Sequence, residues 1–253
     1  MATIQIFGQL YEIELAVFDK DGTLVDFHLL WGQLHRQWVA ALIREAQLKA
    51  SLAEQLHRAL GYDWQYDVVI ADGPLAIASN RELETLAAGV LFSNGLNWTE
   101  ANLAVARSRQ NGGAPWPAAD IVRPLGEVRE TMAALQAAGV KIAVATSDDR
   151  APTVETMALM GLTELVDMLA CGDDPLPHKP DPAGFHHICQ TLGIPPERAL
   201  MAGDTVNDIL FGQNAGAALT LGILGGAGNE TDLEKRADLV ARSIDVIRPA
   251  SRN

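Results

Sequence analysis

The sequence predicts an α/β protein in which a mostly parallel sheet is interrupted by an all-helical insert, and three observations lead there. From about Val122 onward, short apolar runs alternate with amphipathic segments in the rhythm of repeated strand–helix units. Residues 26–119 show helical periodicity with no strong strand signal. Before them, the apolar run Leu15-Ala16-Val17-Phe18 delivers two acids, Asp19 and Asp21, to its own end.

Taken in order, residues 3–7 and 9–17 are expected to pair as a hairpin across Gly8, and residues 14–18 form the first core strand. In the insert, Leu29, Leu30, Leu34, Trp38, Ala41, Leu42 and Ala46 make an apolar stripe at helical spacing, which Leu52, Leu56 and Leu60 continue. Ser79-Asn80-Arg81-Glu82 is a capping-box signal, and Thr99-Glu100 opens a last helix. A Gly- and Pro-rich run over 111–117 reads as the linker back to the sheet. Further strands are expected at 140–145, 166–171, 199–202 and 218–223, with helices at 127–138, 151–160 and from Asp181-Pro182 to about Leu192. The domain boundaries follow: 1–25 and 120–253 for the sheet domain, 26–119 for the insert.

At 253 residues and 48% apolar content the chain can bury a sizeable core. It has no apolar run of about 18 residues, and its first residues lack a signal-peptide pattern. The expected setting is cytoplasmic, with no membrane partner. Cys171 and Cys189 lack metal-ligand spacing and read as reduced, structural residues. The net charge of −13 opposes binding to a nucleic-acid backbone. A small anionic partner then requires local positive charge at its site.

Alternate residues of an extended chain point to opposite sides, so Asp19 and Asp21 reach one site only if the chain turns, which Gly22 permits. By itself the pair is equally a solvated turn. Three other strand ends bear on the choice: Thr146-Ser147-Asp148-Asp149, His178-Lys179-Pro180-Asp181-Pro182 and Gly203-Asp204-Thr205-Val206-Asn207-Asp208. Singly, Thr146, Asp204 and Asp208 read as helix-capping residues and Lys179 as a solvated surface side chain.

Together, Asp-x-Asp-Gly-Thr, a strand ending in Thr, a Lys-Pro segment and Gly-Asp-x-x-x-Asp resemble the four motifs of the haloacid-dehalogenase-like superfamily, over residues 19–208. Arg123-Pro124-Leu125-Gly126-Glu127-Val128 is similar to its phosphoglycolate-phosphatase-like branch. The resemblance implies a Rossmann-like sheet with helices on both faces and a type-one helical cap. It also implies a Mg²⁺-dependent phosphomonoester hydrolase acting through an aspartyl-phosphate. Asp19 is then the nucleophile and Asp21 the general acid and base; the crowding of the two acids is expected to protonate Asp21 while Asp19 stays ionised. Asp19, Asp204 and the backbone carbonyl of Asp21 are the expected metal ligands, with Asp208 behind them. Gly22, Thr146, Ser147 and Lys179 hold the phosphoryl group.

The implied partner is a small phosphorylated metabolite, and the chain a monomer or homodimer. A sugar phosphomutase shares the four motifs but usually carries a hinge-side histidine about where Trp31 falls, and dehalogenases lack a carboxylate at the position of Asp21. Phe27-His28-Leu29-Leu30-Trp31 departs from the Ser-x-Pro-Asp common in phosphoglycolate phosphatases. From another class, a catalytically silent phosphate-binding or scaffolding protein would keep the fold without turnover. Trp31, Trp38 and Trp64 are candidates to line a substrate space, and His28, His35, His57, His186 and His187 show no metal spacing.

Overall fold

A computed structural model describes residues 2–71, 73–111 and 121–250. The chain divides into two compact units, one of residues Met1–Phe27 and Val122–Asn253, the other His28–Ile121. The expected linker lies, beyond its first residue, outside the described residues.

The first unit is built on a six-stranded sheet. Its strands are β1 (Leu15–Phe18), β2 (Lys141–Ala145), β3 (Met168–Ala170), β4 (Ala199–Gly203), β5 (Leu219–Ile223) and β6 (Leu239–Ala241), in spatial order β6-β5-β4-β1-β2-β3 with every neighbouring pair parallel. β1, β4 and β5 are buried along their whole length, as strands covered on both faces must be. Period-2 alternation explains how: Ala16 and Phe18 join an apolar cluster with Val128, Met132 and Leu135 of helix α1 (Val128–Ala137), and Met157 of α2 (Arg150–Leu159) belongs to the same cluster. Leu15 and Val17 join another with Phe185 and Ile188 of α3 (Ala183–Leu192) and Phe211 of α4 (Val206–Ala215). A further helix, α5 (Glu230–Arg236), precedes β6.

Thr3–Ile6 pairs antiparallel with Gln9–Glu12 across Gly8, and on its other side with Arg248–Pro249. The expected second arm is shorter than residues 9–17. It stops at Glu12, because Leu15 to Phe18 are apolar on both faces and belong in the parallel sheet rather than in a ribbon whose second strand is largely exposed.

The second unit holds helices Phe27–Ala46, whose first residue belongs to the sheet unit, Ala53–Ala59, Pro74–Ile77, Asn80–Ser93 and Trp98–Asn111. A two-residue antiparallel pairing of Tyr62–Asp63 with Val68–Val69 adds to them. Leu30, Trp38, Ala41, Leu42, Leu52, Leu56 and Leu60 of the expected stripe are buried. Ser79 caps its helix with Glu82 in a complete capping box. No described helix is long and apolar enough to cross a membrane. Cys171 and Cys189 are free and buried.

Candidate active site

Sheet register decides where the polar groups meet. Leu15 pairs with Lys141 on one side and Ala199 on the other, so β1, β2 and β4 end within one residue of each other. The next residues are Asp19, Thr146 and Asp204, at the carboxyl edge where parallel sheets bind ligands. Asp19 keeps to the sheet through its N–H, which donates to the Ala202 carbonyl at 2.9 Å.

Lys179 reaches this edge from the Pro-framed segment before α3. Its Nζ donates to Asp19 Oδ1 at 2.6 Å, to Asp208 Oδ1 at 2.6 Å and to the Ala145 carbonyl at 2.9 Å. An ammonium has only three N–H bonds to give. All are committed, and the surface reading of this lysine is set aside. Burial lowers the pKa of Lys179, but Asp19 and Asp208 more than offset that, so the ammonium stays charged.

Asp208 meets two demands at once. Its Oδ2 accepts from the Thr205 N–H at 3.0 Å and the Thr205 hydroxyl at 2.6 Å, completing a capping box for α4, while Oδ1 takes Lys179. Capping and site roles, rivals in the sequence, coexist here. The N-cap is Thr205 and not Asp204.

Asp204 instead turns Oδ2 to the N–H of Ala227 at 2.6 Å. A Cβ on Gly22 would lie 2.5 Å from that oxygen and one on Gly226 only 2.0 Å away. Gly22 also has φ +84°, which an L side chain resists. Residue types alone do not flag Gly226 or Ala227, because the donor is a backbone N–H. The available signal is the run Gly225-Gly226-Ala227-Gly228, one residue beyond the end of β5.

Thr146 is buried and its Oγ1 accepts from the Asp148 N–H at 3.1 Å, which leaves its proton to donate. Ser147 is exposed on the same turn. Asp21 is held differently from Asp19: its Oδ1 lies 2.5 Å from Nζ of Lys20, which is 1% exposed and also 3.0 Å from Asp148 Oδ2. Sequence reading passed over Lys20 and Asp148, since a lysine between two acids in a turn reads as solvated.

Oxygens of Asp19, Asp204 and Asp208 lie within 4.8 Å of one another. Burial pushes the Asp19 carboxyl up to about 7, with Lys179 opposing and Asp208 and Asp21 adding. Burial first, then Asp19 and Asp208, push Asp204 well above the carboxylate range. Lys20 gives Asp21 an ion-pair partner, and Asp19 and Asp204 are shifted upward mainly by their burial. Three buried carboxylates, two of them bonded to one ammonium and all with hard oxygen donors, fit a divalent cation such as Mg²⁺. Asp208 has both oxygens engaged, whereas Asp19 and Asp204 each have one oxygen bonded.

In the helical unit, Trp38 is buried with Nε1 donating to Ser108 Oγ, and Trp64 is 52% exposed. His35 and His57 meet, Nε2 to Nδ1, at 2.8 Å, as a hydrogen-bonded pair.

The chain is similar to several proteins of known name. The chain is 40% identical over 81 residues to a phosphoglycolate phosphatase of Psychrobacter arcticus, covering 32% of this chain and 35% of that one. It is 24% identical to one from Neisseria meningitidis, covering 93% and 92% of the two chains. Several of the curated relatives are matched over only 35–54% of their length. The crystal structure of a predicted phosphoglycolate phosphatase from Haemophilus somnus superposes with a TM-score of 0.65 at 22% identity, covering 92% of this chain and 96% of that one, and so shares the fold. The haloacid dehalogenase-like hydrolase model matches residues 13–216, from before β1 to just past α4 and across the strand ends that carry Asp19, Thr146 and Asp204, and the chain belongs to the haloacid dehalogenase-like hydrolase family.

Proposed function

We propose that the chain is a Mg²⁺-dependent phosphatase of small phosphomonoesters that works through an aspartyl-phosphate on Asp19. One observation carries the reading: Asp19 is a buried carboxylate fixed by Lys179 through one oxygen, beside Asp204 and Asp208. The names of the relatives support phosphatase chemistry.

In this reading Asp19 attacks phosphorus in line, the ester P–O bond breaks with its electron pair on the leaving oxygen, and Asp21 gives that oxygen a proton. Water then attacks the phosphoryl group, Asp21 takes the water's proton, and the bond to Asp19 breaks to release phosphate. Lys179, the Thr146 hydroxyl and amides near Gly22 and Ser147 hold the equatorial oxygens, where charge is spread. Lys179 exchanges one of its three present bonds to do so, and Asp19, whose charge is used in forming the intermediate, is the partner it can release. Asp19, Asp204 and the Asp21 carbonyl would hold Mg²⁺, which when bound offsets the repulsion between carboxylate and phosphoryl group. The helical unit His28–Ile121 is assigned to substrate selection.

The test is hydrolysis of p-nitrophenyl phosphate. Nitrophenol and free phosphate should appear with Mg²⁺, stop with EDTA and return when Mg²⁺ is restored. No release from any small phosphate ester would instead make this a binding protein, and isomerised sugar phosphate without free phosphate a mutase.

A further inference from the structure

Lys20 is as deeply buried as the core apolar residues, yet the mechanism above gives it nothing to do. Its surroundings show what it joins. Through its backbone it closes the turn carrying Asp21: the Lys20 carbonyl accepts from the N–H groups of Leu24 at 2.9 Å and Val25 at 3.0 Å. Through its side chain it grips Asp21 Oδ1 at 2.5 Å and Asp148 Oδ2 at 3.0 Å. Asp148 is itself fixed, its N–H donating to Thr146 Oγ1 at 3.1 Å and its carbonyl accepting from the Gly172 N–H at 2.7 Å. A continuous chain of polar contacts therefore runs from Asp21 through Lys20 and Asp148 to the hydroxyl of Thr146.

We propose that Lys20 is a positioning residue: with Asp148 it ties the carboxylate that serves the leaving oxygen to the loop that holds the phosphoryl group, fixing the distance between them. This rests on the assignment of Asp21 as general acid. A buried ammonium shared by two carboxylates suits the task, because removing it leaves two acids that repel where a single cation held both. Asp19 lies outside the contact chain, held by Lys179. The nucleophile should therefore be spared.

The consequence is selective. An ester whose leaving group is a poor one needs the proton from Asp21 as its P–O bond breaks; a nitrophenolate departs without it. The experiment compares kcat/KM, which reports the first phosphoryl transfer, for p-nitrophenyl phosphate and ethyl phosphate in the parent, Lys20→Met, Lys20→Arg, Asp148→Asn and the Lys20→Met/Asp148→Asn double variant. Lys20→Met should lose roughly 10- to 100-fold on ethyl phosphate and less than about three-fold on p-nitrophenyl phosphate. Asp148→Asn should follow in the same direction, the double variant should be no worse than Lys20→Met, and Lys20→Arg should recover part of the loss.

Equal losses on both esters, or additive losses in the double variant, overturn the proposal. If Lys20→Met does not fold, Asp148→Asn at its half-buried site decides by the same comparison. Asp21→Asn run in parallel separates the two ideas. If it shows the leaving-group effect and Lys20→Met does not, only the positioning role fails; if Asp21→Asn shows none, the acid assignment fails and takes the proposal with it.

Discussion

Asp19 is held in a setting that favours reactivity over stability: buried, beside two other carboxylates, and pushed up to about 7 mainly by that burial. Asp19→Asn keeps the shape, leaves Lys179 bonded to Asp208 and Ala145, and removes one of the repelling charges. Turnover of p-nitrophenyl phosphate should fall by roughly four orders of magnitude while Tm holds or rises. A rate within ten-fold of the parent, on the order seen for residues outside catalysis, would end the nucleophile assignment. Gly226 tests the other side of the cluster. An added methyl would meet Asp204 Oδ2 at 2.0 Å and cost roughly 1–3 kcal/mol of strain or displacement. Gly226→Ala should raise the Mg²⁺ concentration needed for half-maximal activity about ten-fold or more. Gly193→Ala, at φ +70° with nothing within 4 Å, should cost about 1 kcal/mol of stability and leave the Mg²⁺ response alone. Asp19, Asp21, Thr146, Lys179 and Asp204 are legible in the sequence because their chemistry lies in side chains at strand ends. Lys20 and Gly226 are not: the role of one depends on which loop its side chain reaches, and that of the other on having no side chain.

At the scale of elements, one local device appears twice with different consequences. Ser79 with Glu82 and Thr205 with Asp208 are both complete capping boxes. Each Ser/Thr→Ala should lower stability by about 1 kcal/mol. Only Thr205→Ala should also lower kcat, because Asp208 loses the hydroxyl donor that helps to orient it toward Lys179 and keeps only the backbone one; equal kcat in the two variants would separate the cap from the site. The helical unit carries a pH response of its own. His35 on helix Phe27–Ala46 is buried against His57 and Tyr62, and burial, helped by His57 and Arg36, lowers its pKa from 6.5 to about 3. A depressed pKa means that the unfolded chain takes up the proton first. The contribution of His35 is complete above about pH 6.5 and is lost as pH falls toward 3. His35→Gln should therefore lose less stability than the parent between pH 7.5 and pH 5, read as denaturant midpoints, and parallel losses would refute the assignment. Five strands are readable as apolar runs ending in turn residues, but β6 is not: Leu239–Ala241 is three residues long, only its last is buried, and such an edge leaves no run to detect. The Tyr62–Asp63 pairing escapes for the same reason.

At the scale of the whole molecule, the two-unit division has a physical basis in how the chain leaves and re-enters the sheet unit. Asp26 donates to the Arg123 carbonyl at 2.8 Å, Leu125 donates to the Leu24 carbonyl at 2.9 Å, and Val25 bridges to Pro124. Exit and return are thus side by side on the same body. Both apolar clusters of the sheet unit are drawn from residues before 28 and after 121, and every proposed catalytic side chain belongs to it. Loop closure depends only weakly on length, about 0.6 kcal/mol per doubling, so a short flexible connection in place of residues 28–121 adds no closure cost. The expected outcome of that replacement with about six Gly and Ser residues is a protein that melts cooperatively with mixed α/β circular dichroism. It should still release nitrophenol from p-nitrophenyl phosphate in a Mg²⁺-dependent way, since the groups proposed to do the chemistry are all retained. What it should lose is discrimination, with the spread of kcat/KM across phosphoglycolate, sugar phosphates and nucleotides narrowing relative to the full chain. A chain that does not fold would show that the units depend on each other for stability. One that folds but hydrolyses nothing would move an essential group into the helical unit, and full retention of substrate preference would remove specificity from it.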